Sequence, residues 1–207
     1  MKKGRFYKGL LLLTLSTKYL HLVKNVVGES IKQGNPHMLV TDGVITDKEY
    51  DEKTKWSDFH IITPVLFNFY HGLELVLKGF LILKNNYIPS HQIEKLFEEF
   101  TKNYSKEQKL ISILEKYLII DLMPDFLANC LRKNNIRINN LYEFLRYPTD
   151  KNFQKIYNYF DLKYKEEKGL NFFQQLRSDL DILLREMVKL YKEMEKSEID
   201  NENKNGN

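Results

Sequence analysis

WSDFHIITPVLFNFYHGLELVLKGFLILK, residues 56–84, decides the fold. Pro64 suits a first helical turn, where its missing N–H would be unpaired anyway, and no further proline occurs before Pro89. The stretch therefore predicts a helix of about twenty residues, roughly 30 Å long. Its side chains advance by about 100° per residue, so Leu66, Phe69, Leu73, Val76, Leu77 and Phe80 share one broad face, while Phe67, Leu75 and Ile82 make most of the other side apolar. A helix that is apolar nearly all round belongs in the centre of a core.

One narrow polar stripe interrupts it. His71, Glu74 and Lys78 recur at i, i+3 and i+7, with Glu74 and Lys78 at the favourable Glu-before-Lys spacing. Buried charges need partners, so the stripe is expected to be paired, and an arginine fork from a distant segment, that of Arg146, is expected to meet Glu74. Gly72 and Gly79 mark another line along which a neighbouring backbone can approach. A membrane span over 61–83 is the rival, but Glu74 and Lys78 would each cost about 2.5 to 3.5 kcal/mol near its centre. No membrane partner is expected.

Around this helix the rest of the chain can be laid out. Apolar spacing over 5–32 predicts a first core helix instead of a signal peptide, because the leucine run is short and no small-residue cleavage site follows it. Gly34, Asn35 and Pro36 end it. The insertion 38–58 allows a hairpin at Asp42-Gly43, a flexible loop, or a helical turn capped by Thr46 with Glu49. Pro89-Ser90 opens a helix carrying Ile93, Leu96, Phe97 and Phe100, with His91 in its first turn. Ser105 with Gln108 caps the amphipathic run from Leu110 to Leu118, Pro124 opens a shorter helix through Leu131, and Asn140 with Glu143 caps a short turn that Pro148 stops. The stretch 149–168 mixes aromatic and basic residues. That pattern can stack bases, and it also describes an irregular loop over a core. Asn171 with Gln174 caps a last helix whose Phe173, Leu176, Leu180, Leu183, Met187, Leu190 and Met194 form a three-four seam, packed along the bundle or pairing two protomers. A tail at 197–207 is expected to be disordered.

The 207 residues form one domain over 1–196, and 43% hydrophobic residues can fill its core. Net charge is +4 from 32 basic and 28 acidic residues, far from a strongly basic nucleic-acid domain. The single Cys130 excludes an internal disulfide and a cysteine-cluster zinc site, and fits a reducing cytoplasm. No glycine-rich phosphate loop, HExxH pair, nucleophile elbow or calcium loop occurs, so neither cofactor nor metal is expected.

HGLELVLKGFLIL (71–83), the following NNYIPSHQIEKLFEEF (85–100) and Arg146-Tyr147-Pro148 within EFLRYPTD (143–150) together resemble HEPN-type helical proteins of prokaryotes. The resemblance implies an all-α antiparallel bundle of about four to five core helices, homodimerisation, and a setting in toxin–antitoxin or phage-defence systems with a protein partner such as a nucleotidyltransferase. Ribonucleases of that family cut RNA without metal through an arginine followed within a few residues by a histidine. This chain departs from the pattern: its last histidine is His91, and Asp150, Lys151 and Asn152 stand after Arg146. A rearranged catalytic set of His71, Glu74 and Arg146 is one expectation, with Lys78, His91, Tyr147 and Lys151 as residues contacting RNA or nucleotide. A non-catalytic module that binds RNA, nucleotide or a protein partner is the favoured one, and a purely structural helical dimer is the third.

Overall fold

In the computed structural model, which describes residues 2–36 and 38–205, the chain is all-α. It contains α1 (Lys2–Gln33), α2 (Asp47–Thr54), α3 (Asp58–Leu83), α4 (Ile93–Asn103), α5 (Gln108–Leu118), α6 (Asp125–Lys133), α7 (Leu141–Arg146) and α8 (Glu166–Asn205), with short 3-10 turns between some of them. No strand occurs among the described residues, only an isolated bridge between Thr149 and Ile156.

The central element is α3, which packs against α1, α4, α7 and α8. Leu66, Phe69, Leu73, Val76, Leu77 and Phe80 are all essentially inaccessible. The helix has the length and apolarity of a membrane span, yet 72% of that window is buried inside the protein. Contacts between Gly9 and Leu83, Leu13 and Gly79, and Leu20 and Gly72 show that α1 runs antiparallel to α3. Ion pairing of Lys24 with Asp181 and ring contact between Phe6 and Tyr191 set α1 antiparallel to α8 as well.

Glycine makes the α1–α3 approach close. A Cβ on Gly79 would lie 2.8 Å from the Leu13 side chain and 3.3 Å from the Gly9 carbonyl oxygen, and one on Gly9 would lie 3.0 Å from the Gly79 carbonyl oxygen. The backbones meet where neither helix has a side chain, which offsets the roughly 1 kcal/mol that a glycine costs inside a helix.

Several sequence expectations need correction. Pro64 is not in the first turn, since α3 begins six residues earlier at Asp58 and passes through the proline. The lost hydrogen bond belongs to the carbonyl of His60, an exposed residue at which water can replace it. In the insertion, the Thr46 and Glu49 capping box forms and starts α2, so the hairpin does not. Helix α4 starts at Ile93, leaving His91 in the preceding loop, and its N-terminus is capped from a distance: the Asn139 side chain accepts from the Glu94 N–H at 3.0 Å. The capping boxes expected at Ser105, Asn140 and Asn171 are absent, the last because α8 already begins at Glu166. The 197–207 tail, expected to be disordered, continues as helix to Asn205, and its last two residues lie outside the described ones. The α8 seam faces inward, with Phe173, Leu176, Leu180, Leu183, Met187 and Leu190 buried. It is an internal contact in this fold.

Candidate functional site

The polar stripe of α3 is paired, as buried charge requires. Glu74 is 4% exposed, and its carboxylate accepts from the Lys78 ammonium at 2.5 Å, with His91 Nδ1 at 2.9 Å from the same oxygen. Arg146 does not take part. It sits at the exposed C-terminal end of α7, where its guanidinium lies 5.2 Å over the ring of Tyr147, and the fork expected to satisfy Glu74 is not formed. Tyr142, one helical turn earlier on α7, occupies that place. Its hydroxyl lies 3.3 Å from His71 Nδ1 and hydrogen-bonds the Glu74 carboxylate.

The resulting open concavity lies between α3, α7 and the loop before α4. His71, Glu74, His91, Arg146, Tyr147 and Lys151 all line it, so six of the seven residues singled out in the sequence come together. The seventh, Lys78, does not line it and is held by Glu74. Tyr142, Phe67, the amides of Asn139 and Asn140, and the Glu143 carboxylate, which Lys151 faces at 3.5 Å, complete the lining and were not foreseen there. Tyr142 had one readable signal, its i, i+4 relation to Arg146.

Aromatic rings hold His71 in place. Tyr19 meets it edge-on at 4.7 Å, and the Phe67 ring lies parallel to it with centroids 6.3 Å apart. Burial pushes its pKa below the ordinary 6.5, and the attraction of Glu74 only partly opposes this. Burial raises the Glu74 carboxyl, but hydrogen bonds from Lys78, Tyr142 and His91 outweigh it, and the group stays below its ordinary range. Burial and the adjacent Glu74 carboxylate both raise the Tyr142 phenol, so that it remains a neutral donor.

These shifts have the same consequence for stability. A depressed folded-state pKa means that the unfolded chain binds the proton first, so the contribution of His71 is complete above pH 6.5 and erodes below it. That of Glu74 is complete above 4.5 and is lost as the pH falls through its lower folded-state value. Unfolding midpoints are therefore expected to fall on acidification in two stages. A His71→Gln variant should lack the stage just below pH 6.5 and keep the one below 4.5; an unchanged upper stage would assign it to another group.

Among the described residues, no group of three or more His, Cys, Asp or Glu is placed to hold a metal ion. Cys130 is buried, with its thiol pushed up to about 12 by burial, and so is a packing residue instead of a nucleophile. Compared with known proteins, the chain matches no family model, no curated protein and no solved structure.

Proposed function

We propose that the chain is a HEPN-like, non-catalytic module of the cytoplasm that binds RNA or nucleotide at the concavity between α3 and α7. The observation that carries this reading is Arg146: it lines the concavity, rests on Tyr147, and forms no ion pair among the described residues. An arginine fork stacked on a ring and open to solvent is suited to a phosphate. Lys151 adds a second cation at the rim, 82% exposed and only loosely paired with Glu143 at 3.5 Å.

The remaining polar groups favour binding over cleavage. Glu74 is committed to Lys78, and Tyr142 is too strongly held as a phenol to act as a base. A metal-independent ribonuclease is the second reading, favoured by one observation: the neutral imidazole of His71 and the guanidinium of Arg146 line the same concavity. A toxin–antitoxin or phage-defence setting, with a nucleotidyltransferase-like partner, follows from the resemblance and belongs to the same proposal.

The test is retention of uridine monophosphate and mixed RNA by the pure protein in EDTA. Binding should weaken with salt, and Arg146→Ala should weaken it roughly tenfold without lowering the melting temperature. Cleavage that vanishes in a His71→Gln variant would replace this reading by the ribonuclease. The expected homodimer is carried into the proposal with a different surface, the exposed row Tyr7, Leu11, Leu15 and Leu22 on α1, and light scattering on the same preparation tests it; a monomeric mass would remove the dimer and leave the binding site.

A further inference from the structure

We propose that the outward face of the 147–165 segment is a stacking platform for single-stranded nucleic acid, which leads the strand into the concavity at Arg146. This rests on the phosphate-binding reading above and extends it to a polymer.

The segment has two sides. On the inner side Tyr157 and Leu162 are buried, and Tyr159 packs on Phe144 with centroids 4.8 Å apart while its hydroxyl donates to the Tyr147 carbonyl at 2.7 Å. That accounts for the loop as a cover over the core. It leaves Phe153 83%, Ile156 79%, Phe160 65%, Tyr147 50% and Tyr164 42% exposed on the other side. Single exposed apolar residues need no explanation, but here five fall within eighteen positions, four of them rings, and the Phe160 and Tyr164 rings meet at 6.3 Å.

The backbone works to present these rings. Residues 149–156 close on themselves through the Thr149 to Ile156 bridge, and the Asp150 carboxylate accepts the N–H groups of Gln154 and Lys155 at 2.8 and 3.0 Å. Phe153 stands at the tip of this loop with φ of 56°, and Tyr164 has φ of 57°. Bulky residues avoid the left-handed region, and where they are held there a function is worth seeking. Tyr164 stacks on Phe59 at 4.8 Å, and Phe160 follows at 6.3 Å, giving a short row of rings.

The charge on this face is positive where it is free. Lys163 lies 4.8 Å over the Phe59 ring and Arg146 lies over Tyr147, while Lys165, 5.5 Å over Phe160, is paired with Asp161. The two acids of the segment are already used: Asp150 holds backbone amides, and Asp161 is paired with Lys133 and Lys165. Rings alternating with cations match bases alternating with phosphates. A duplex hides its base faces, so the match is to a single strand. The exposed row on α1 is mainly aliphatic and offers no such match.

Fluorescence anisotropy with labelled oligouridylate and oligothymidylate of about ten nucleotides, a duplex of the same length, and uridine monophosphate as a separate ligand tests the platform. Phe153→Ala and Phe160→Ala remove exposed rings, and their melting curves should match the parent protein. Each is expected to weaken binding of the single strands about tenfold and to leave monophosphate binding unchanged. The ratio of the two oligonucleotides tells whether the strand is RNA or DNA. Variants that bind single strands like the parent, equal binding of the duplex, or no retention of either oligonucleotide would overturn the platform, while Arg146-dependent monophosphate binding would leave the concavity reading standing. Loss of the monophosphate result together with ring-dependent strand binding would do the reverse.

Discussion

Lys78→Met is expected to lower the unfolding free energy by about 3 to 5 kcal/mol at pH 7, and the double variant with Glu74→Gln to recover most of that loss. The side chains of Glu74 and Lys78 are only 5% and 14% exposed, and their 2.5 Å contact is the main compensation for taking both charges out of water. Removing the ammonium leaves a buried carboxylate. Its remaining partners are the Tyr142 hydroxyl and His91, whose side chain is 87% exposed. A neutral pair of similar volume avoids that penalty, because glutamine can still accept from Tyr142 and methionine fills the apolar path of the lysine stem. Urea unfolding of the four proteins in the cycle measures the coupling. A loss below about 1 kcal/mol for Lys78→Met, or simple additivity in the double variant, would mean that water reaches the carboxylate and that the stripe is a surface pair.

Local periodicity made part of this molecule readable. The apolar faces of α3, its Glu74 and Lys78 pair, the glycine line facing α1 and the seam of α8 all follow from spacing within one helix, where side chains three and four apart must meet. The Thr46 and Glu49 cap is equally local. Helix boundaries were less legible. Proline is tolerated inside α3 because the orphaned carbonyl is near the surface, and α8 runs past its last apolar residue, Ile199, on charged and amide side chains alone. The site was half legible for a related reason. Sequence identifies groups that need partners, which singled out Glu74 and its stripe, and the structure has six of the seven chosen residues lining one concavity. It does not give the angle at which a six-residue helix such as α7 crosses α3. A shift of one turn puts Tyr142 beside His71 and Glu74 and leaves Arg146, expected there as the partner of Glu74, over the Tyr147 ring instead.

The second large effect concerns a residue whose role the sequence did not reveal: Asp58→Ala should destabilise the protein by about 3 kcal/mol or more. Asp58 is 1% exposed and forms no ion pair among the described residues, and its carboxylate is satisfied by hydrogen bonds instead. One oxygen accepts from the Tyr164 N–H at 2.8 Å, and the other from the Lys165 N–H at 2.8 Å and from the Asn35 amide at 3.1 Å. Asn35 completes the clasp by accepting from the Asp58 N–H at 2.6 Å and donating to the Glu166 carbonyl at 3.1 Å. Three elements are thereby tied at one point: the end of α1, the start of α3 and the entry to α8. The carboxylate also sits in the first turn of α3, where the helix dipole favours negative charge. Alanine would strand three donors, at about 1 to 3 kcal/mol for each that water cannot reach. Asparagine should cost less, because it keeps one acceptor. Gly169→Ala should disturb the same clasp without removing any of its hydrogen-bonding groups, since a Cβ there would lie 2.6 Å from the Asp58 carboxylate and 2.8 Å from the Asn35 amide nitrogen and push them apart. Hydrogen exchange gives the local readout: the Tyr164 and Lys165 amides should be protected in the parent protein and exchange faster in Asp58→Asn. Unprotected amides in the parent, or an Asp58→Ala protein that unfolds within about 1 kcal/mol of it, would show that the entry to α8 is held by packing alone.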